Sequence, residues 1–365
     1  MMQVLSRVRG ALWLGGTLLV LLLVPVTGCG DGDSLASSGN PPGDSIPPID
    51  STPTDTTTPP PPVDTTTPPP PVDTTTPPPP DTTGGPGPTD CPPVTPSTTA
   101  PVHVGLPFGP NHSPRMGDPP FTLNQITALT PSCLLEDLEA ARRANVQVFI
   151  SFTGNEQYLR DANGFSLTKW KQRVDRFRGI DITPYIADGT ILAHFIMDEP
   201  NDLTNWSGHV VSREDIEEIA RYSKSIWPTI TTMIRAWPDY LDGFQWKSLD
   251  AVWFHYIEQR GPIEPFLEKH LANARALGLN IVGGLNVLNG GSKNSGIPGK
   301  SATKNGMNAD ELRTWGGKFL DQPGLCAFLL WEYKSDYFAR PEIRAALNDL
   351  AAKARAYPKQ SCKRT

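Results

Sequence analysis

The segment Ile191-Leu192-Ala193-His194-Phe195-Ile196-Met197-Asp198-Glu199-Pro200-Asn201 contains the most informative pattern in the chain. An almost wholly apolar run, residues 191–197, leads directly into two carboxylates, and a proline follows them. A near-continuous apolar run is typical of a parallel strand that is covered on both faces. We therefore predict a buried strand over 191–197, with Asp198 and Glu199 at its carboxyl end.

Similar short runs recur from residue 102 to the end of the chain. We predict further strands at Val102–Leu106, Val146–Phe152, Thr231–Arg235, Ala251–Tyr256, Ile281–Leu285 and Cys326–Trp331. Helices are predicted between them from their start signals: Ser212 with Asp215, Pro262, Asn308 with Glu311, and Pro341.

Repeated alternation of strand and helix indicates an α/β fold, either a doubly wound open sheet or a closed barrel. The first strand-to-helix turn lacks a GxGxxG motif, which argues against a dinucleotide-binding sheet. Several runs also end in polar and aromatic residues, as barrel enzymes do at their carboxyl-terminal rim. We predict a (β/α)8 TIM-type barrel with seven clear strands, and we expect the missing strand within residues 153–189.

The front of the chain has a different organisation. Residues 1–28 have the pattern of a secretory signal, and Val26-Thr27-Gly28-Cys29 resembles the bacterial lipobox. Cys29 is then the lipidated first residue of an exported, membrane-anchored lipoprotein at the cell surface or in the periplasm. Residues 29–101, with a Pro/Thr-rich unit repeated three times, predict a disordered linker; the barrel domain spans 102–358 and a tail 359–365.

Charge and composition exclude some classes of protein. Of 32 basic and 38 acidic residues, two and nine lie before residue 102, which leaves 30 basic and 29 acidic residues in the folded part. This balance argues against a nucleic-acid partner. The cysteine and histidine spacing suggests no metal site, and no motif predicts a cofactor. No GxSxG or HExxH motif favours an esterase or an amidase.

Four cysteines besides Cys29 remain in an exported chain, where disulfides persist. Cys91, Cys133, Cys326 and Cys362 allow three pairings, and the sequence alone does not choose among them. The two ends of a barrel domain lie near each other, so we favour a Cys91–Cys362 pair.

A second strand end resembles the first, because Phe328-Leu329-Leu330-Trp331-Glu332-Tyr333 also runs from apolar residues into a glutamate. Together with Asp198-Glu199-Pro200 it resembles the retaining (β/α)-barrel glycoside hydrolases. In that family the glutamate of an Asn-Glu-Pro or Asp-Glu-Pro motif is the general acid/base, and a glutamate on a later strand is the nucleophile. The resemblance implies that Glu199 is the acid/base and that Glu332 is the nucleophile, or the water-activating base in an inverting enzyme.

The strand count leaves the second role open. By our count Glu199 ends the third strand and Glu332 the seventh, whereas the family uses the fourth and the seventh. One more strand before residue 190 would move Glu332 to the eighth, where the family has a substrate-stacking tryptophan, and Trp331 fits that role. The alternative partners of Glu199 are then Glu258, Asp202 and Glu156.

Other residues near the predicted strand ends are candidates for substrate binding. They are Asp198, Asn201, Arg235, Trp237, His255, Tyr256, Asn286 and Trp331. Asp198 alternates with Glu199 in an extended strand, so we expect its side chain to point the opposite way and to support a hydrogen bond. Trp237, Tyr256 and Trp331 suit the apolar faces of sugars. We predict core roles for His194 and Trp253, and cleft-shaping roles for the loops 107–121 and 289–307.

The function expected from these patterns is that of a monomeric, surface-anchored glycoside hydrolase. It would cleave O-glycosidic bonds of an extracellular polysaccharide or glycan by a two-carboxylate mechanism. The second hypothesis is a non-catalytic lipoprotein that binds glycan or cell-wall polymer through a degenerate barrel.

Overall fold

The computed structural model describes residues 91, 94–97 and 99–365. The predicted leader, the lipidated Cys29 and most of the predicted linker lie outside the described residues, so those interpretations stay predictions. In the described part of the chain no helix is both long enough and apolar enough to cross a membrane.

Eight parallel strands form the centre of the domain. They are β1 Phe108–Pro110, β2 Leu123–Thr127, β3 Gln147–Ser151, β4 Ile191–Asp198, β5 Thr232–Arg235, β6 Ala251–Trp253, β7 Asn280–Asn286 and β8 Leu325–Trp331. Neighbours pair in the order β1-β8-β7-β6-β5-β4-β3-β2. A bridge between Asn111 and Gln125 joins the two ends of this order, so the sheet closes. The predicted (β/α)8 TIM-type barrel is confirmed.

Helices surround the barrel. They are α1 Leu134–Arg143, α2 Leu167–Asp175, α3 Thr183–Ala187, α4 Arg213–Ile226, α5 Ile263–Ala276, α6 Ala309–Glu311, α7 Gly317–Leu320, α8 Ser335–Phe338 and α9 Pro341–Ala356, with a π-helical turn Leu312–Gly316 between α6 and α7. The predicted start signals are confirmed: the Ser212 hydroxyl accepts a hydrogen bond from the Asp215 amide at 3.0 Å, and Asn308 and Glu311 form a reciprocal capping box.

The structure corrects the strand count. The predicted strand Val102–Leu106 is wrong, because Val102 and Val104 are 71% and 62% exposed and lie outside every strand. The first strand is β1 instead, and the missing strand is β2 rather than a segment of 153–189. The strands within residues 153–189 form only a short hairpin, Arg160–Asp161 with Gly164–Phe165, that is separate from the barrel.

The disulfides also differ from the pairing that we favoured. Cys91 is bonded to Cys133, and Cys326 is bonded to Cys362. The segment after Cys91 lies along α1, where the Ser97 amide donates to Glu139 Oε1 at 2.7 Å, and this places Cys91 beside Cys133. Contacts with the barrel domain therefore begin before residue 102.

The tail lies across the amino-terminal end of the barrel. Cys362 is 2% exposed and belongs to the cluster of side chains inside the barrel, together with Cys326. The Arg364 amide donates to Asp250 at 3.2 Å, and Asn280 donates to the Cys362 carbonyl at 3.1 Å. The tail and its disulfide thus close the end of the barrel that is opposite the carboxyl ends of the strands.

Removing the two disulfides separately will distinguish loop closure from packing. Their sequence separations are 36 and 42 residues, so chain entropy predicts about 4 kcal/mol for each pair. Cys326→Ala with Cys362→Ala also empties space in the core, and we expect it to lower the free energy of unfolding by about 1–2 kcal/mol more than Cys91→Ala with Cys133→Ala. Urea unfolding measures both, and equal losses would contradict a packing role for the inner disulfide.

Candidate active site

One buried arginine pairs with two carboxylates at the carboxyl end of β4. Asp198 is the last residue of β4 and lies in register with Arg235, the last residue of β5. The Arg235 Nε contacts Asp198 Oδ1, and its Nη2 lies 2.8 Å from Glu199 Oε2. The side chain of Arg235 is 9% exposed, whereas those of Asp198 and Glu199 retain 27% and 34% exposure. The carboxylates therefore line a recess whose wall is the guanidinium.

The backbone at Glu199 explains why both carboxylates reach the same arginine. Its φ of +38° is left-handed, which ends the alternation of side chains along the strand. The Glu199 amide donates to the Arg235 carbonyl at 2.9 Å, and its own carbonyl accepts from Trp206 Nε1 at 2.9 Å. The expectation that Asp198 and Glu199 point in opposite directions is therefore wrong. An uncommon backbone conformation fixed from both sides is typical of a functional position.

Burial makes this cluster hold protons more strongly than free carboxylates do. It raises the pKa of Asp198 to about 6, although Arg235 opposes the shift. Burial also raises the pKa of Glu199, again against the charge of Arg235, while the neighbouring Asp198 adds to the increase. A carboxyl group with a raised pKa is suited to donate a proton near neutral pH.

Glu332 lies in a different electrostatic environment. Lys300 forms an ion pair with its Oε1, and His112 Nδ1 is 4.0 Å from its Oε2. Burial alone would raise the pKa of Glu332, but the neighbouring His112 and Lys300 outweigh burial and lower it. The Glu332 carboxylate is therefore kept ionised.

The strand positions of the two glutamates are now known. Glu199 follows the fourth strand and Glu332 follows the eighth, with three strands between them in either direction around the barrel. They therefore lie on opposite sides of one mouth. The glycoside hydrolases that the sequence resembles carry their nucleophile at the end of the seventh strand. In this protein the seventh strand ends at Asn286, so Glu332 does not occupy that position.

Aromatic side chains connect the two sides of the mouth. The Arg235 guanidinium lies 5.3 Å from the centre of the Trp253 ring, which is 5.8 Å from the His255 ring. His255 in turn lies 6.5 Å from Trp331, the residue before Glu332. Trp253 is 1% exposed and lies inside the barrel, as predicted for a core residue, and it also lines the recess beside Glu199. Its signal was present in the sequence, since it lies two residues before His255 and therefore shares its face.

Several buried polar atoms around the mouth have no hydrogen-bond partner among the described residues. They are Asn111 Oδ1, Gln125 Oε1, Asn201 Oδ1, Trp253 Nε1 and His255 Nδ1. Buried polar atoms almost always find a partner, so a group of orphans marks a place for water or ligand hydroxyls. Burial and the charge of Arg235 lower the pKa of His255 well below its ordinary value, so its ring is neutral and offers one donor and one acceptor.

One of the three predicted aromatic platforms, Tyr256, is wrong, and a cation lies over the ring of each of the other two. Tyr256 is 2% exposed and its hydroxyl donates to the Gly261 carbonyl, because it packs beneath Phe266 rather than at the mouth. The Trp237 ring is covered by the Arg260 guanidinium at 4.6 Å. Trp331 is half-buried, with Lys300 Nζ 5.1 Å from its ring centre.

The remaining predicted residues divide between the two sides of the mouth. Asn286 lies beside Trp331 in the β7–β8 register, and its Oδ1 accepts from the Asn289 amide. Two of the alternative partners lie on the Glu199 side of the mouth. The charge of Glu156 raises the pKa of Asp198, and the charge of Asp202 raises the pKa of Glu199.

The other side chains near the mouth do not complete a metal site. Glu258 acts on the pKa of Tyr256 instead of on the Glu199 cluster. Within the described ranges, no group of three or more His, Cys, Asp or Glu side chains is arranged to hold a metal ion.

A larger cavity adjoins the recess at Glu199. The recess itself, lined by Glu199, Arg235 and His255 among others, has a volume of about 10 Å³, roughly the space of one water. The adjoining cavity has about 620 Å³, and Asn201 and Trp237 line both. A ligand of sugar size therefore has room beside Glu199, in the direction of α5.

The sequence analysis did not single out Lys300 and His112, the two partners of Glu332. Both belong to loops predicted to shape the cleft, Lys300 to 289–307 and His112 to 107–121. The sequence offered one signal for them, which is that each loop directly follows a strand. A single lysine or histidine in a long loop does not identify its partner, so the ion pairs with Glu332 could not be predicted.

Comparisons with solved structures find several proteins of low similarity. An intracellular xylanase from Thermoanaerobacterium saccharolyticum is 13% identical over 64% of this chain and 87% of its own, with a TM-score of 0.41. The endoglucanase catalytic domain from Xanthomonas campestris is 9% identical over 69% and 95%, with a TM-score of 0.45. A GH18 chitinase from Pseudoalteromonas aurantia is 11% identical over 65% and 97%, with a TM-score of 0.39.

Likenesses of this size carry no argument about activity. No family model matches the sequence, and no curated protein matches it. The fold and the site define the class of protein: a TIM-type barrel whose mouth is lined by acidic and aromatic side chains.

Replacing Arg235 will test whether it is the counter-charge of both carboxylates. We expect Arg235→Met to lower the free energy of unfolding at pH 7 by about 2 kcal/mol, less than for a fully buried pair because both carboxylates reach solvent. Without Arg235 the folded-state pKa values of Asp198 and Glu199 rise further above their unfolded values. The folded state then gains stability as the pH falls through those raised pKa values, so the deficit should shrink at pH 5.

The control is Arg313→Met, which breaks only exposed ion pairs with Asp310 and Asp349. It should change the free energy of unfolding by less than about 0.5 kcal/mol at either pH. Chemical unfolding of the three proteins at pH 5 and pH 7 measures this. An Arg235→Met deficit that is independent of pH would be incompatible with the assignment.

Proposed function

We propose that the barrel is a glycoside hydrolase in which Glu199 is the general acid and Glu332 is the ionised partner. One observation carries this proposal: two glutamates on opposite sides of one mouth have environments that shift their pKa values in opposite directions. Glycosidic cleavage requires one protonated and one ionised carboxyl on either side of the scissile bond.

The lining of the mouth is suited to a sugar. The orphan polar atoms of Gln125, Trp253 and His255 offer donors and acceptors for hydroxyl groups. Trp331 offers an aromatic ring next to Glu332, although Lys300 lies over it in the structure. A sugar that stacks on Trp331 would displace Lys300, whose side chain is 44% exposed and therefore easily moved. His112 would then remain beside Glu332 and favour its ionised form.

Each carboxyl has a defined task in this mechanism. Glu199 donates its proton to the leaving glycosidic oxygen, and Arg235 and Asp198 hold its position. Glu332, ionised, either attacks the anomeric carbon or removes a proton from the attacking water. If Glu332 attacks, water then hydrolyses the glycosyl–Glu332 ester and gives its proton to Glu199, which restores both groups. If Glu332 is the base, it releases the proton of the attacking water to solvent, and Glu199 takes up a proton from solvent.

Two single substitutions test the assignment. Glu199→Gln and Glu332→Gln keep the shape of each side chain and remove its ability to exchange a proton. We expect each to lower kcat on a cleaved polysaccharide by about 10³-fold or more. Activity is measured as the release of reducing ends from a panel of plant, bacterial and animal glycans. NMR of the first product identifies its anomer, which shows whether Glu332 acts as a nucleophile or as a base.

Further variants identify the partner carboxylate. Glu156→Gln, Asp202→Asn and Glu258→Gln should retain more activity than Glu332→Gln. Glu342→Gln, at an exposed position on α9, is the control with wild-type turnover. If Glu332→Gln turned over normally while one of the three alternatives did not, the partner role would pass to that residue.

A second candidate function is binding without cleavage. The observation that favours it is Asn286 at the end of β7, where the resembling family has a catalytic glutamate. A protein of this kind would be retarded in a gel that contains its glycan, and it would release no reducing ends from any glycan tested. Such a result would replace the first proposal.

We also propose that the barrel is attached to a membrane through lipid on Cys29, as an exported monomer held by the Pro/Thr-rich linker. The support is the sequence pattern of residues 1–29. Bacterial cells expressing the full chain and fed radiolabelled palmitate should label the protein, and Cys29→Ala should abolish the label whereas Cys91→Ala should not. Equal labelling of the wild type and Cys29→Ala would overturn the anchor.

A further inference from the structure

The large cavity beside Glu199 has an unusual charge pattern for a sugar site. Its lining includes Arg260 and Lys269, with Asp239 as the single carboxylate. Lys269 is paired with Asp239 at 2.8 Å, whereas Arg260 forms no ion pair among the described residues. Burial lowers the pKa of His270, which also lines the cavity, to about 4, so His270 is neutral. The cavity therefore carries one uncompensated positive charge.

Arg260 is positioned for anion recognition. Its guanidinium lies 4.6 Å from the centre of the Trp237 ring. A guanidinium that stacks on an aromatic ring keeps its in-plane N–H groups free, and their fork matches the two oxygens of a carboxylate. The charge is therefore held in place without being neutralised.

Two further features make the cavity a site for a ligand. Helix α5 begins at the edge of the cavity, directly after Pro262, which offers no capping side chain. The dipole of this 14-residue helix favours an anion at that end, and the Glu264 carboxylate of the first turn is already paired with Lys318. Independently, His270 is 7% exposed and its Nδ1 has no partner among the described residues. A buried, unpartnered nitrogen in the wall of a cavity indicates that a ligand or water completes it.

We infer that this cavity is a subsite for a sugar residue that carries a carboxylate, next to the residue cleaved at Glu199. Arg260 binds the carboxylate, the amino-terminal end of α5 adds to the attraction, and His270 bonds a hydroxyl group. Asn201 and Trp237, which line both spaces, join the subsite to the recess at Glu199. The inference rests on the proposed function and specifies its substrate as a glycan that contains uronic acid residues.

The chain as a whole does not explain an attraction to acidic polymers. Its net charge is −6, and its folded part is nearly neutral, with 30 basic and 29 acidic residues, so overall charge supplies no attraction. A preference for an acidic glycan must therefore come from a local site.

The experiment compares acidic polymers with their own neutral forms. Polygalacturonate, alginate, hyaluronan and glucuronoxylan are each prepared with intact and with chemically reduced carboxyl groups. Affinity electrophoresis of the full chain carrying Glu199→Gln measures binding without degradation. We expect at least one acidic polymer to bind tenfold or more tightly than its reduced form, and this difference to diminish as salt is added.

Variants at Arg260 locate the effect. Arg260→Ala should remove the tenfold preference, and Arg260→Lys should retain part of it. The matched control is Arg176→Ala, since Arg176 is also exposed, lies 5.3 Å from the centre of the Phe177 ring and is outside the cavity. The inference is overturned if no acidic polymer is preferred to its reduced form, or if Arg260→Ala keeps the preference.

Hydrolysis by the protein with Glu199 intact separates this inference from the proposed function. Charge preference without any cleavage would retain the acidic subsite and remove the hydrolase activity. Cleavage that is insensitive to the carboxyl groups would retain the hydrolase activity and remove the subsite.

Discussion

Closure of the barrel between β1 and β2 is the constraint on which the site depends. At Gly109 an added Cβ would lie 1.9 Å from the Leu123 carbonyl oxygen, so the two strands approach as they do because this residue is glycine. On its other side β1 pairs with β8, with Phe108 opposite Phe328. Closure turns an open row of strand ends into a ring, and it thereby places Glu199 and Glu332, far apart in sequence, at one mouth.

The strands that the sequence predicted correctly are the ones buried on both faces. Segments such as β4 and β8 are continuous apolar runs, and no other element accommodates such a run so well. β1 and β2 could not be found in this way. β1 contains glycine and proline, which are depleted in strands, and β2 contains Asn124, whose amide is satisfied by the Ser113 backbone. These polar contacts are made by residues distant in sequence, so the pattern of a single strand does not reveal them.

The same distinction explains how much of the site could be predicted. Strand ends are predictable from the runs before them, and this was enough to select Glu199, Arg235 and Glu332. The pairing of Arg235 with both Asp198 and Glu199 was not predictable, because it depends on the strand register and on the left-handed backbone at Glu199. Lys300 reaches Glu332 from a long loop, and the conformation of such a loop is set by tertiary contacts rather than by a repeating pattern.

The two cations of the mouth differ in how readily they can move, and this has a consequence for the electrostatics. Arg235 is 9% exposed and is fixed by the register of two strands, so the counter-charge of Glu199 is permanent. Lys300 is 44% exposed and its pairing with Glu332 is that of a surface ion pair, which contributes little free energy. A ligand that enters over Trp331 can therefore displace Lys300 while leaving Arg235 in place. The environment of Glu332 then depends on whether the mouth is occupied, whereas the environment of Glu199 is built into the barrel.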